Sequence, residues 1–168
     1  MMGIIVEGID CSGKSTLVKN LKFRLKNYGG YDVKELEHLD KKNQFQRYLR
    51  EYSNGYRTIF DRSHISELVF SKYLRNTEVF VESEIDILDS IIRTQYILVV
   101  ATPSIENFNK RMLETKKLQV IDSKSYFDLI SLFDYATKSI PHIKYTSTDE
   151  EELNAIIDVI ISKLKGFT

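Results

Sequence analysis

The sequence is poor in the features that mark several classes of protein. Its 168 residues include one cysteine, two prolines and no tryptophan. The single cysteine, Cys11, cannot form an internal disulfide, so the composition is typical of a reducing compartment and not of a disulfide-stabilised secreted domain. With 24 basic and 24 acidic residues the net charge is zero. A general nucleic-acid coat or a polybasic membrane binder would carry a positive excess, so we expect neither.

Long apolar runs are also lacking. No stretch approaches the ~20 residues of a membrane-spanning helix, and the first ten residues lack the basic and apolar regions of a signal peptide. Hydrophobic residues make up 42% and charged residues 29% of the chain, which is typical of a soluble globular domain. We therefore predict one cytoplasmic domain over residues 1–168, with no membrane partner.

What the sequence does contain is an alternation of short apolar runs with longer amphipathic ones. This pattern predicts a parallel sheet covered by helices on both faces, in three α/β/α layers with five strands. The predicted strands are residues 2–6, 31–39, 57–61, 96–101 and 142–146. The predicted helices are residues 15–27, 43–52, 64–73, 82–92, 103–113, 123–138 and 149–165, the last with Asp149 as its N-cap.

Residues 8–16, Gly-Ile-Asp-Cys-Ser-Gly-Lys-Ser-Thr, fit the phosphate-binding pattern G-x-x-x-x-G-K-[ST] between a predicted strand and a predicted helix. Glycines let backbone N–H groups approach phosphate oxygens, and the helix N-terminus adds partial positive charge. Lys14 would reach the β- and γ-phosphates, and the Ser15 hydroxyl would ligate Mg²⁺. We therefore predict ATP and Mg²⁺ as ligands, with binding residues Gly8, Asp10, Cys11, Ser12, Gly13, Lys14, Ser15 and Thr16.

A second signal is the pair Asp61-Arg62 at the end of a predicted strand. An acid at the carboxyl edge of a parallel sheet faces the crevice where ligands bind. Asp61 could hold the metal, directly or through water, and Arg62 could bridge the transferring phosphates. The alternative is a helix-capping aspartate followed by a solvated arginine.

The segment Glu7-Gly8-Ile9-Asp10, continuing into Gly13-Lys14-Ser15-Thr16, resembles the start of the thymidylate kinase family. The segment from Asp61 to Phe70 resembles the Asp-Arg segment of small phage-type members and is similar to the Glu-Arg-Ser segment of deoxynucleoside kinases. The resemblance implies a P-loop NTPase fold and transfer of the γ-phosphoryl group of ATP to a deoxynucleoside monophosphate in nucleotide metabolism. It also implies Lys14, Asp61, Arg62 and Glu7 as catalytic residues, and suggests a homodimer. If the chain is phage-encoded, the expected location is the host cytoplasm.

The sequence departs from that family at two places. Residues 35–39 lack the Arg-Glu-Pro-Gly segment that helps to bind the monophosphate. The phosphate loop has Cys11-Ser12 where some members place an arginine, and in such members the lid supplies the charge. The lid candidate covers residues 110–122, with Arg111, Lys116 and Lys117 as available cations. The candidate acceptor region covers residues 36–57.

The sequence leaves the acceptor open. A monophosphate is largely dianionic and needs no general base, whereas a hydroxyl acceptor does. Glu7 resembles the base of deoxynucleoside kinases, but it could instead brace the loop or Arg62. The alternative acceptors are a deoxynucleoside, or a modified base or 5′ end in nucleic acid. A third hypothesis is a nucleotide-binding switch without transfer activity.

Three further expectations concern side chains outside the motifs. Arg47 or Arg50 could grip an acceptor phosphate while an aromatic ring stacks on a base, although a solvated helix face explains them equally well. His64 could touch substrate, but a surface position at a helix start is the expectation. The acidic residues between 78 and 89 are expected to cover the outside of the domain.

Overall fold

The computed structural model describes residues 2–36, 43–115 and 124–166. Five strands in these ranges form one parallel sheet in the order β2-β3-β1-β4-β5. Their bounds are β1 Gly3–Gly8, β2 Asp32–Glu35, β3 Thr58–Asp61, β4 Tyr96–Ala101 and β5 His142–Tyr145. The sheet confirms the predicted α/β architecture.

Helices follow the strands along the chain and cover both faces of the sheet. They are α1 Lys14–Arg24, α2 Gln44–Ser53, α3 His64–Phe70, α4 Glu82–Gln95, α5 Ile105–Thr115, α6 Tyr126–Thr137 and α7 Glu150–Lys165. The side chains of α1 and α7 form one apolar core with one face of the sheet. The second core combines the other face with side chains from α2 to α6. Among the described helices, none has both the length and the apolar composition needed to cross a bilayer.

The parallel register brings the carboxyl ends of four strands together, those of β1 to β4. Val6 in β1 pairs with Asp61 in β3, and Glu35 in β2 pairs with the same Asp61. On the other side of β1, Gly8 pairs with Ala101, the last residue of β4. Residues far apart in sequence therefore meet at one edge of the sheet, where ligands bind in folds of this kind.

Predicted and observed elements agree in type and differ mainly at their ends. Strand β4 has the predicted bounds, because all six of its residues are buried in the centre of the sheet. Strand β2 is shorter than predicted and exposed along its length, as an edge strand is; residues 37–39 of that prediction lie outside the described residues. Asp149 caps α7 as predicted, since its side chain accepts a hydrogen bond from the Glu152 amide at 2.8 Å.

The third helix ends earlier than the sequence predicts. After α3 ends at Phe70, residues Ser71–Arg75 form one π-helical turn, which closes on Asn76 in a left-handed conformation. A π-turn widens the helix locally, and such turns frequently occur at functional sites. Here it places Leu74 and Arg75 beside a cavity described below.

Candidate functional site

Residues 8–16 include the tight loop between β1 and α1. The backbone at Gly8 and at Gly13, one at each end of the loop, leaves no room for a side chain. Gly8 has φ +134° and a Cβ there would lie 2.3 Å from the Ala101 carbonyl oxygen. Gly13, the N-cap of α1, has φ +87°, and its Cβ would lie 2.2 Å from Ser147 Oγ. Both backbone conformations are in the region that favours glycine. The loop can therefore bring its backbone close to a ligand at the N-terminus of α1.

Lys14 begins α1 and folds back over this loop. Its Nζ donates to the Ile9 carbonyl oxygen at 2.6 Å and to Ser12 Oγ at 3.4 Å. Burial, with a smaller contribution from the Arg62 charge, lowers the pKa of Lys14 to about 8, although nearby carboxylates partly oppose the shift. Burial at the phosphate loop disfavours the charged form of Lys14, and a bound anion would offset this effect. The ammonium group is therefore well placed for an anionic ligand.

Arg111 from α5 approaches the same loop. Its guanidinium donates to the Ser147 carbonyl oxygen, and Nη1 would lie 3.1 Å from a Cβ on Gly13. Ser147 follows β5 and is only 1% exposed, with φ +60° and a buried hydroxyl that has no hydrogen-bond partner among the described residues. The lid candidate Arg111 is thus next to the phosphate loop. The other predicted lid cations, Lys116 and Lys117, lie outside the described residues.

Ser15, Thr16 and Asp61 supply oxygen atoms near the loop. Ser15 and Thr16 are exposed in the first turn of α1. Asp61 is half-buried at the end of β3, and its charge acts on Lys14. A hydroxyl and a carboxylate are suitable ligands for Mg²⁺, which prefers oxygen and usually shares its shell with substrate phosphates. Within the described ranges no group of three His, Cys, Asp or Glu residues could hold a metal ion.

Arg62 connects the loop to α3. Its backbone N–H donates to the Val6 carbonyl oxygen at 3.0 Å, and its φ of +75° is strained for a residue with a side chain. The guanidinium pairs with the Asp10 carboxylate, donates to Ser66 Oγ at 3.3 Å and lies 5.3 Å from the centre of the Phe70 ring. The side chain is therefore fixed between the phosphate loop and the cavity.

Glu7 is fully buried and accepts four hydrogen bonds. Ser63 Oγ and the Ser66 amide donate to Oε1 at 2.5 and 3.1 Å. Ser66 Oγ and the Gly8 amide donate to Oε2 at 2.5 and 3.3 Å. Because Glu7 reaches an amide at the start of α3 as well as one in the phosphate loop, it braces the two segments together. This geometry favours the brace over the general base among the roles that the sequence leaves open.

The expectation that His64 lies on the surface is wrong. Its side chain is 0% exposed, with Nδ1 2.8 Å from the Tyr52 hydroxyl and Nε2 3.0 Å from Asp89 Oδ1. Asp89 is also buried, at 5% exposed, so the acidic residues of 78–89 do not all cover the outside as predicted. A histidine at the start of a helix is usually polar and exposed. The sequence near His64 does not indicate that α2 and α4 pack around it.

A cavity of about 240 Å³ opens beside the phosphate loop. Its lining combines aromatic and aliphatic side chains with five charged groups and a serine: Asp10, Glu35, Leu36, Tyr48, Arg62, Ser66, Glu67, Phe70, Leu74 and Arg75. Glu67 is 4% exposed and accepts from Arg75 at 2.7 Å and from Ser71 at 2.8 Å. Both an apolar wall and fixed polar groups are therefore available to a small organic ligand.

Part of the predicted acceptor region does not reach this cavity. Arg47 and Arg50 are not among the lining residues; Arg47 instead lies 5.2 Å from the centre of the Tyr48 ring. Arg57 precedes β3, at the opposite edge of the sheet from Asp61, and bonds to Gly29. Lys41 and Lys42 lie outside the described residues.

Sequence reasoning missed several lining residues. Glu35, Glu67 and Arg75 line the cavity with charged side chains, yet none of them was predicted as a site residue, although Glu67 lies within the segment from Asp61 to Phe70. Glu35 ends the observed strand β2 as Asp61 ends β3, but the predicted strand ran on to residue 39, so the prediction did not place Glu35 at the carboxyl edge. Glu67 and Arg75 meet through the π-turn, which the sequence does not predict.

A larger cavity of about 470 Å³ lies between the end of α1 and α7. Phe23, Tyr28, Asp158 and Lys165 are among its lining residues, and none of the predicted site residues is. The smaller cavity is the one that adjoins the phosphate loop, so it is the candidate acceptor site.

Solved structures with the same fold are enzymes and proteins with bound nucleotides or small molecules. The YorR protein from Bacillus subtilis, in complex with phosphorylated GDP, has a TM-score of 0.80 and 18% identity, with 98% of each chain covered. Deoxyadenosine kinase from M. mycoides with bound dCTP has a TM-score of 0.62 and 17% identity over 98% of this chain and 100% of its own. A gluconokinase from Sinorhizobium meliloti has a TM-score of 0.59 and 12% identity, over 99% and 97%.

No protein-family model matches the sequence, and no curated protein matches it significantly. At these low identities the structural similarities establish the fold alone. The chain thus has the fold of P-loop kinases, which include enzymes for nucleosides and for other small molecules. The comparisons do not distinguish thymidylate kinases within that group.

Proposed function

We propose that the protein is an ATP-dependent kinase that transfers the γ-phosphoryl group to a nucleoside or nucleotide held in the 240 Å³ cavity. The observation that supports this most strongly is the position of Arg62, between a complete phosphate loop and that cavity. A nucleotide-binding switch without transfer activity would not need an arginine that faces both sites. The two solved structures of similar fold that contain phosphorylated GDP and dCTP are consistent with a nucleotide or nucleoside ligand, although they are structures of other proteins.

In this mechanism the loop residues bind the donor and neutralise charge. Lys14 exchanges its hydrogen bond to Ile9 for the β- and γ-phosphates, and Arg111 reaches them from α5. Ser15 and Asp61 are the residues that would hold Mg²⁺, and the ion would screen the phosphate charge. Arg62 leaves Asp10 to contact the transferring phosphoryl group. Catalysis then depends on alignment and electrostatic stabilisation more than on covalent chemistry.

The charges of the cavity favour a neutral acceptor with a hydroxyl group. Three of the five charged lining residues, Asp10, Glu35 and Glu67, are acidic. Both arginines are already paired with carboxylates, Arg62 with Asp10 and Arg75 with Glu67. A dianionic monophosphate would have to enter against this acidic majority. A nucleoside would place its base against Tyr48 and Phe70 without a comparable penalty.

A hydroxyl acceptor needs a general base, and Glu35 is the better placed carboxylate for that role. Glu35 is exposed and lines the cavity at the sheet edge next to Asp61. Glu7 is enclosed by four hydrogen-bond donors. The predicted deoxynucleoside monophosphate is the second candidate acceptor, favoured by the presence of two arginines, Arg62 and Arg75, in the lining.

The test is a transfer screen with γ-labelled ATP on the full chain. It should cover nucleosides, nucleoside monophosphates and oligonucleotides, including modified pyrimidines. We expect labelled product with a deoxynucleoside, reduced at least about a hundredfold in Glu35→Gln. Product with monophosphates alone, unaffected by Glu35→Gln, would support the second candidate. ATP hydrolysis without labelled product from any acceptor would overturn the kinase proposal.

A further inference from the structure

The first turn of α3 is held by its own N-cap residue, Ser63, and by side chains from two distant parts of the chain. The His64 amide donates to the Tyr52 hydroxyl at 3.1 Å, the Ile65 amide to Ser63 Oγ at 3.1 Å and the Ser66 amide to Glu7 at 3.1 Å. A helix N-terminus leaves its first amides without intrahelical partners. In α3 these amides are satisfied by the protein, so the start of the helix is fixed to β1 and α2.

His64 extends this arrangement to α4. Its Nε2 lies 3.0 Å from Asp89 Oδ1, and its Nδ1 lies 2.8 Å from the Tyr52 hydroxyl. Because a carboxylate only accepts, the Nε2 atom carries a proton and donates to Asp89. Nδ1 can then accept the Tyr52 O–H, while the same oxygen accepts from the His64 amide. Burial raises the pKa of Tyr52 well above its ordinary value, so the hydroxyl stays protonated.

The side chains of Tyr52, His64 and Asp89 are buried, so few other conformations are open to them. His64 is 0%, Tyr52 1% and Asp89 5% exposed. The rings of Tyr48 and Phe80 lie 6.1 Å from the imidazole on further sides. Asp89 Oδ2 also lies 3.4 Å from Ser139 Oγ and 3.8 Å from Arg93 Nη2, which further fixes the carboxylate. A buried polar group of this unit that turned away would lose a hydrogen-bond partner, at a high cost in free energy.

The unit adjoins the candidate site on two sides. Arg62 and Ser63 immediately precede His64, so any movement of the start of α3 moves the guanidinium and the Glu7 brace. Tyr48, one turn before Tyr52 on α2, lines the cavity. A change in Tyr52, His64 or Asp89 would therefore act on the phosphoryl-bridging arginine and on the acceptor wall together.

We propose that Tyr52, His64 and Asp89 form a positioning unit that sets the place of Arg62 relative to the acceptor cavity. The three residues do not touch the reacting groups themselves. The proposal rests on the kinase function proposed above, since it assigns these residues to the alignment step of that reaction. A misplacement of about 1 Å can cost about a hundredfold in rate, which is the scale of effect to expect.

The main variant is Tyr52→Phe, which removes one oxygen and leaves the ring packing. We expect kcat to fall at least about tenfold, with the KM for ATP changed less than about twofold, because the hydrogen bonds of Lys14 to Ile9 and Ser12 do not involve Tyr52. The control is Tyr31→Phe, which removes a tyrosine hydroxyl that is partly buried and donates to the Met2 carbonyl oxygen at 3.1 Å, on the α1–α7 side of the sheet. A purely structural effect would reduce kcat equally in both variants, and that result would overturn the proposal.

Two conservative variants divide the unit. His64→Gln can keep a donor toward Asp89 and lose the Tyr52 contact, whereas His64→Asn can keep a polar atom near Tyr52 and lose Asp89. We expect both to lose kcat, and Asp89→Asn, which keeps an acceptor oxygen for Nε2, to recover part of the rate relative to Asp89→Ala. Wild-type kcat in His64→Gln or His64→Asn would contradict the proposed unit.

Amide hydrogen exchange tests the unit without any assay of activity. In Tyr52→Phe the His64 amide has no acceptor, so exchange at residues 64–66 should accelerate at least about tenfold, while Tyr31→Phe leaves these amides unchanged. Unchanged exchange in Tyr52→Phe would overturn the positioning role. Accelerated exchange in a protein that transfers phosphate to no acceptor would refute the proposed function and leave the structural unit intact.

Discussion

Replacing Glu7 with Gln tests whether this residue is a brace or a base. Its two carboxylate oxygens receive donors only: two hydroxyls at 2.5 Å and two backbone amides at 3.1 and 3.3 Å. In Glu7→Gln one oxygen becomes an NH₂ group. If the Gln oxygen takes the Oε1 position, the new donor faces the Gly8 amide, which cannot turn to accept. Ser66 Oγ can reorient, but it then loses its present acceptor.

The size of the effect follows from these contacts. Hydrogen bonds to a charged group are worth about 1.5–3 kcal/mol, neutral ones about 1 kcal/mol, and a buried donor left unsatisfied costs about 1–3 kcal/mol. Relief of the desolvation cost of a buried carboxylate offsets part of this loss. We expect Glu7→Gln to lose about 2–3 kcal/mol of unfolding free energy, which lowers Tm by about 4–12 °C in a domain of this size.

The assay pairs urea unfolding with transfer kinetics on the same preparations. Glu7→Gln should lose stability together with activity, whereas Glu35→Gln, at an exposed position, should lose activity with Tm within about 1 °C of wild type. Loss of activity alone cannot separate the two roles of Glu7, because a displaced Arg62 slows transfer too. A Glu7→Gln variant with wild-type Tm and a kcat reduced about 10²–10⁴-fold would refute the brace and identify a general base.

Three other changes test the donor side of the site. Lys14→Met should abolish transfer yet stabilise the protein without nucleotide at pH 7 by up to about 3 kcal/mol, since the pKa of about 8 in the folded protein lies below the ordinary lysine pKa of 10.5. The destabilisation caused by burial of the charged Lys14 is full below pH 8 and disappears above pH 10.5. The free energies of unfolding of the wild type and of Lys14→Met, measured in urea, should therefore approach each other over that interval. A difference that stays constant with pH would contradict this prediction. Asp61→Asn should raise the Mg²⁺ concentration for half-maximal transfer about tenfold or more, and an unchanged titration would remove Asp61 from the metal site. Alkylation of Cys11, followed by mass spectrometry, should be slower with bound ATP, and equal rates would contradict its place in the loop.

The fold and the phosphate loop could be predicted because their signals are local. The run Tyr96–Ala101 is apolar throughout and occupies the middle of the sheet, so its bounds agree with the prediction. The loop motif places Lys14 and Gly13 by spacing alone. Asp61 and Arg62 could be placed at the same edge because parallel strands share their carboxyl ends.

The environment of His64 and the cavity could not be predicted, because their determinants are distant in sequence. Tyr52 and Asp89 are 12 and 25 residues from His64, and their approach depends on how α2 and α4 pack on one face of the sheet. Glu67 and Arg75 meet through a π-turn that carries no clear sequence pattern. Residue type alone favoured a surface histidine, and tertiary packing overrode it.

Although the net charge of the chain is zero, the site contains three cationic side chains, and in the structure each of them has an acceptor within the protein. Lys14 donates to the Ile9 carbonyl oxygen, Arg111 to that of Ser147, and Arg62 to Asp10. Each of these three cations thus has an internal acceptor that a phosphate would replace. These hydrogen bonds are exchanged and not newly formed. The gain in binding free energy is therefore the difference between the energy of a hydrogen bond to phosphate and that of the present hydrogen bond to a carbonyl or carboxylate oxygen. For Lys14 and Arg111 that difference is a full anionic charge, whereas Arg62 exchanges one anion for another and is the cation most readily moved between Asp10 and a transferring phosphoryl group.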